Sequence, residues 1–227
     1  MEKLTLYHGS DHKIGKPIYQ GGKRTNDYGF GFYCTKDFEL ACEWAAKSQD
    51  KNAYTNQYSI DTKNLKVLDL TDKKYTILNW VAILLENRTF TLNAPISIEA
   101  KDYITKHFHV NTDEFDIIRG YRADDSYFSF AEDFLNNTIS LQQLEKAMKL
   151  GDLGIQYVFV SQKAFEEVKF ETAILIDKEK YSTKFKQRDF QARKKYKCMK
   201  VDLSVNSNEL YVRDIIKGGF RNGDPRL

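Results

Sequence analysis

The chain has 227 residues, of which 41% are hydrophobic and 30% charged, with a formal net charge of +3; this describes one sizeable globular core, in one domain or in one domain with an appendage. So small a charge does not by itself call for a nucleic-acid partner. No run approaches the roughly 18 apolar residues of a membrane helix, so no membrane association is expected.

From the N-terminus, "KLTLYHG" alternates and predicts a strand that ends at its glycine. Residues 9–28 are polar and Gly-rich, hence a loop. "GFGFYCT" (29–35) is short, aromatic and punctuated by glycine, a buried strand or strand-turn. "TKDFELACEWAAKS" predicts a helix capped by Thr35, with Phe38, Ala41, Cys42 and Ala45 on one face. "AYTNQYSID" and "LKVLDL" are strands. Over 71–88, Ile77, Leu78, Val81, Leu84 and Leu85 mark an amphipathic helix. Residues 96–109 predict another helix, "FDIIRG" a short strand or turn, and 125–136 a helix.

"ISLQQLEKAMKLG" carries its own boundary markers. Ser140 caps, Gln143 completes a capping box, Ile139 staples to Leu144, and Gly151 is the expected stop. "IQYVFVS" and "VKFETAILI" follow as strands joined by a short polar turn. The basic stretch 182–197 is a helix, and "NELYVRDIIKGG" a last helix with a glycine stop. Strands at both ends with helices between and after give an α+β class. The organisation expected is one domain over 1–177 and a basic helical extension over 178–227 packed on it. No dinucleotide fingerprint and no phosphate-binding P-loop occurs; "GFGFYC" lacks the third glycine. Cys34, Cys42 and Cys198 have no C-x-x-C spacing, which argues against disulfides and zinc and for reduced thiols that mostly fill the core. Met1-Glu2-Lys3 runs straight into a strand, without a secretory signal, so a cytoplasmic location is expected.

Three chemistry-bearing side chains sit at strand ends: His8 before Gly9, Tyr33 before a helix, and Gln156 after a capped helix and a glycine turn. In this order and spacing they resemble the ADP-ribosyltransferase superfamily, in its histidine-tyrosine class. "LYHGS" is similar to its first motif, "GFGFYCTKDFELACEWA" to its second and "IQYVFVS" to its third. A bacterial family filed as a domain of unknown function, and assigned to that superfamily, has the most similar set. Its "YHGS", "D-F/Y-G-x-G-F-Y-x-T", "ADD" and "QYVF" motifs stand here at 7–10, 27–35, 123–125 and 156–159, and its "YVRDI"-like helix at 211–215.

The resemblance implies a split antiparallel β-sandwich with inserted helices. It also implies an enzyme that cleaves NAD and transfers one ADP-ribose to a macromolecular acceptor, protein or nucleic acid. NAD is then a substrate and no metal is needed. Such bacterial domains often act as toxins, which implies a neutralising antitoxin partner. His8, Gly9 and Ser10 of the first motif would hold NAD: Gly9 through backbone that a carboxamide can approach, His8 through a ribose hydroxyl. Tyr33 would stack on nicotinamide, and Trp44, eleven residues later, either closes the other side of the ring or fills the core. Gln156 stands where a glutamate is typical. It still binds a hydroxyl but is neither negative nor a base, which disfavours polymer elongation and keeps two alternatives open, an NAD glycohydrolase and an NAD- or ADP-ribose-binding pseudoenzyme.

Asp124 and Asp125 either cap the helix that follows or lend the cleft the charge that Gln156 lacks. Arg24, Arg119 and Arg122 are candidates for the diphosphate. His107 and His109 do not have metal-ligand spacing. From Lys178 to Lys200 there are ten Lys/Arg and two acids, interleaved with Tyr181, Phe185, Phe190 and Tyr196. That stretch is either a solvated helix face or a strip for a nucleic acid or other acidic partner.

Overall fold

In the computed structural model, which describes residues 3–47, 52–122, 125–201 and 209–227, seven strands form one mixed, mostly antiparallel sheet. The strands are β1 (Lys3–Ser10), β2 (Phe32–Thr35), β3 (Tyr54–Asp61), β4 (Val67–Asp69), β5 (Ile117–Tyr121), β6 (Ile155–Phe159) and β7 (Lys169–Leu175). Their order is β4-β5-β6-β2-β1-β3-β7. Only β4 and β5 run parallel. The class is α+β, as expected. β1 pairs with β3 along all of Lys3–Ser10, but with β2 at a single position, Tyr7 opposite Thr35. The two halves of the sheet thus meet at one narrow joint, and they form one continuous sheet rather than the two-sheet sandwich that the resemblance implies.

Helices α1 (Phe38–Ala45), α2 (Ile77–Asn87), α3 (Pro95–His107), α4 (Asp125–Leu135), α5 (Leu141–Ala147), α6 (Gln162–Glu167), α7 (Lys178–Val201) and α8 (Val212–Lys217) complete the fold. Several boundaries differ from expectation. α1 is capped by Asp37, whose Oδ1 accepts from the Leu40 amide at 3.0 Å. Thr35 belongs to β2, and its hydroxyl accepts from the Asp37 amide instead. α2 starts only at Ile77, where Thr76 and Asn79 make a capping box. It is not amphipathic, because every residue from Ile77 to Leu85 is buried; a helix covered on all sides loses its polar face. The Ser140–Gln143 capping box of α5 forms as predicted. Its helix ends at Ala147, and Gly151 (φ 73°) bends the 3-10 turn that follows. Between β6 and β7 lies α6, capped by Ser161, rather than a plain turn.

The main core gathers α2, α3, α4 and α5 on one face of the β4–β6 half, with Trp80, Phe108, Phe130 and Phe134 nearly inaccessible. Tyr196 of α7, Val212 and Ile215 of α8 and Phe220 belong to that same core. A second cluster, around Leu6, Tyr58, Phe159 and Phe165, fills the other face. Cys34 and Cys42 are buried and Cys198 is exposed, so the last does not fill the core. Among the described residues no helix is long and apolar enough to cross a membrane.

Candidate functional site

The narrow joint between β1 and β2 opens into a cleft of about 590 Å³. β1 brings His8 and Gly9 to its wall, β2 brings Tyr33 and Thr35, β6 brings Gln156, and α1 brings Trp44. The loop after β1 contributes Lys13 and Lys16, and Asp27, Arg88 and Arg122 also line the cleft. Three sequence-distant candidates, His8, Tyr33 and Gln156, therefore face one cavity.

His8 is held in one tautomer. Its Nδ1 lies 2.7 Å from the carbonyl oxygen of Tyr33, which can only accept, so Nδ1 carries the proton and Nε2 is the acceptor. The ring stacks on Phe32, with centroids 4.5 Å apart. Burial lowers the pKa of His8 from 6.5, outweighing the Tyr33 carbonyl that raises it, and the imidazole is neutral at pH 7.

Tyr33 presents its ring to the cleft and spends its hydroxyl on the wall. That hydroxyl donates to the Gly29 carbonyl at 2.7 Å and accepts from the Tyr28 amide at 3.1 Å. Gly29 sits at φ +71°, a conformation that costs glycine little. Burial pushes the Tyr33 phenol well above its ordinary value, so it is not a base near neutrality.

The reason for a glycine at position 9 lies behind the cleft. A Cβ there would run into the Ala41 carbonyl oxygen and come within 2.6 Å of the Ala45 nitrogen. Gly9 thus lets α1 seat directly on β1, which sets Trp44 at the cleft. Trp44 is 37% exposed, so it does not fill the core. The Arg122 guanidinium lies 3.6 Å from its ring centroid, a cation–π arrangement at the rim.

The remaining candidates lie elsewhere. Ser10 is outside the lining; its hydroxyl donates to the His12 carbonyl and accepts from Asn56 Nδ2 at 2.8 Å. Arg24 is exposed and does not line the cleft. Arg119 is absorbed at the sheet edge by Asp69 and Thr71. Of the three arginines only Arg122 reaches the cavity. Asp124 lies outside the described residues, as does the side chain of Asp125, whose backbone opens α4. His107 packs on Tyr103 and His109 meets Glu86 at 2.7 Å. No group of three or more metal-ligating side chains occurs among the described residues.

Sequence reasoning missed Asp27, Arg88 and Asn56. Asp27 is 6% exposed; its Oδ1 lies 3.4 Å from Arg88 Nη1 and its Oδ2 3.4 Å from Gln156 Nε2. Fully buried Asn56 ties down the loop after β1, donating to Ser10 and to the His12 carbonyl and accepting from the Ile14 amide at 3.0 Å. Its one signal was an asparagine inside a strand, where that residue is disfavoured.

No curated protein and no solved structure matches this chain. The model of a family described as a protein of unknown function (DUF3990) matches residues 4–170, and the chain belongs to that family.

Proposed function

We propose that this protein is an NAD-dependent mono-ADP-ribosyltransferase. The observation that carries the reading is the convergence of neutral His8, the Tyr33 ring and Gln156 on one cleft at the joint of the sheet, with a carboxylate and cations around them. Nicotinamide would lie against the Tyr33 ring, with Trp44 at the rim. His8 Nε2 would accept from a ribose hydroxyl, and Gln156 would bind a second hydroxyl next to the reacting carbon. Arg122, Lys13 and Lys16 supply positive charge for the diphosphate.

In the reaction the bond between ribose C1′ and the nicotinamide nitrogen breaks. The electron pair leaves with nicotinamide, and the ribose becomes an oxocarbenium-like cation. A nucleophilic atom of the acceptor then bonds to C1′ and gives up its proton to solvent. Steadying that cation asks for negative potential in a site shielded from water, which Asp27 provides. A protein or nucleic-acid acceptor fits this chemistry, and a neutralising antitoxin partner fits a toxin of this kind; both rest on resemblance.

The test is NAD labelled on its adenylate, incubated with the protein and with lysate treated by RNase, DNase or protease. Label on one macromolecular class, lost in Gln156→Ala and Tyr33→Ala, is the expected result. Nicotinamide release without transfer would make the protein a glycohydrolase. Binding of NAD with neither would make it an NAD- or ADP-ribose-binding module and overturn the proposal.

A further inference from the structure

We infer that Asp27 is the positioning residue of this cleft: its carboxylate fixes the side-chain amide of Gln156 so that Gln156 presents an acceptor oxygen, not a donor, to the ligand. The use of that oxygen on a ribose hydroxyl rests on the function proposed above; the orientation itself does not.

Gln156 is 7% exposed, and one end of its amide faces two oxygens, Asp27 Oδ2 at 3.4 Å and the Tyr121 carbonyl at 3.5 Å. Both are acceptors. Turning the amide over would set Oε1 against a carboxylate and a carbonyl, so the nitrogen faces them and Oε1 looks the other way. None of the hydrogen bonds of Gln156 among the described residues uses Oε1. Of the two oxygens Asp27 is the one that decides. The Tyr121 carbonyl already accepts from the Tyr28 hydroxyl at 2.6 Å and from the Trp80 indole at 3.3 Å, whereas Asp27 is a carboxyl group with Arg88 Nη1 3.4 Å from its far oxygen.

Asp27 is itself positioned. The Tyr33 hydroxyl bridges Tyr28 and Gly29, the two residues after it. A chain therefore runs from Tyr33 through the 27–29 turn to Asp27 and on to Gln156. It explains how glutamine serves in a place suited to a carboxylate. A neutral amide turned by a neighbouring carboxylate offers an acceptor, while the charge sits one residue further back.

The test reads Gln156 directly. Its side-chain NH2 resonances, assigned by their loss in Gln156→Glu, are recorded in the wild type, Asp27→Ala and Asp27→Asn. The expected result is a shift towards free-glutamine positions in Asp27→Ala, and a smaller one in Asp27→Asn, which keeps an acceptor. Unmoved resonances in Asp27→Ala overturn the inference, with or without any activity on NAD. If Asp27→Ala does not fold, Asp27→Asn decides alone by the same criterion. Nicotinamide release adds a double-mutant cycle. Asp27→Ala should lower kcat/KM by roughly a hundredfold in the wild type and hardly at all in Gln156→Ala, since a residue acting through another has nothing left to position. Equal losses in both backgrounds also overturn it. A wild type that releases no nicotinamide, but whose amide moves as expected, refutes the enzyme reading and leaves the positioning role standing.

Discussion

His8 shows how a single side chain acquires a defined chemistry from its surroundings. A strand-end histidine before glycine is legible in the sequence, but its tautomer is not, because the Tyr33 carbonyl that fixes it comes from another strand. The burial that lowers its pKa from 6.5 has a consequence for stability. Below about pH 6.5 the unfolded chain takes up a proton that the folded chain refuses, so stability falls as pH drops until folded His8 protonates too. The slope from this group is at most about 1.4 kcal/mol per pH unit. Urea midpoints from pH 7.5 to 5 should show a shallower decline in His8→Gln than in the wild type; parallel declines would mean that His8 titrates normally. Trp44 gives a second reading at this scale. It sits at the rim while Trp80 is 1% exposed, so NAD should quench tryptophan fluorescence in the wild type and much less in Trp44→Phe. Equal quenching in the variant would remove Trp44 from the site. Helical periodicity alone left Trp44 between core and cleft, since it reports a face and not what that face meets.

At the level of elements, local signals were legible wherever the physics is local. The Ser140–Gln143 box was readable because a cap and its partner lie three residues apart. The cap of α1 was misplaced by two residues, since Thr35 and Asp37 both suit that role and pairing of Thr35 with Gln156 in the sheet decided between them. α2 was recognised as a helix but not as a fully enclosed one, for enclosure depends on elements far along the chain. Asp27 was hidden for the same reason: it lies in the 27–35 motif, yet its partners are Arg88 and Gln156. Gly9 marks the contact between elements on which the cleft depends. Gly9→Ala should push α1 away from β1 and cost about 1–3 kcal/mol as overpacking, with Trp44 carried out of place. Gly15→Ala, where a new Cβ meets nothing within 4 Å, is the control. Thermal unfolding of both variants checks this; a Gly9→Ala protein as stable as the control would show that α1 does not bear on β1.

Across the whole molecule, the question is whether the C-terminal helices are an appendage. The family model ends at residue 170, and composition alone suggested a basic extension from 178. In the structure these helices pack on α1 and into the main core. α7 clasps α1 through Arg188 on Glu43 and Tyr181 on Glu39. Its Tyr196 stacks near Phe130 at 3.8 Å and donates to Asp133 at 2.5 Å. At least four of the ten basic residues between 178 and 200, Lys184, Arg188, Arg193 and Lys200 among them, are engaged in ion pairs within the chain, so part of the basic character is spent on the fold itself. Tyr196, Val212, Ile215 and Phe220 are all at most 7% exposed and lie in the main core. Each side chain of this size contributes roughly 1.5–3 kcal/mol when fully buried, so together they rival the 5–15 kcal/mol by which domains are stable at all. A chain ending at residue 177 would leave that face of α4 and α5 bare. It should therefore lack a cooperative urea transition and fixed near-ultraviolet circular dichroism, and bind an apolar dye. A sharp transition in the shortened chain would show that the sheet and first helices are self-sufficient, and that the C-terminal helices were added to a finished domain.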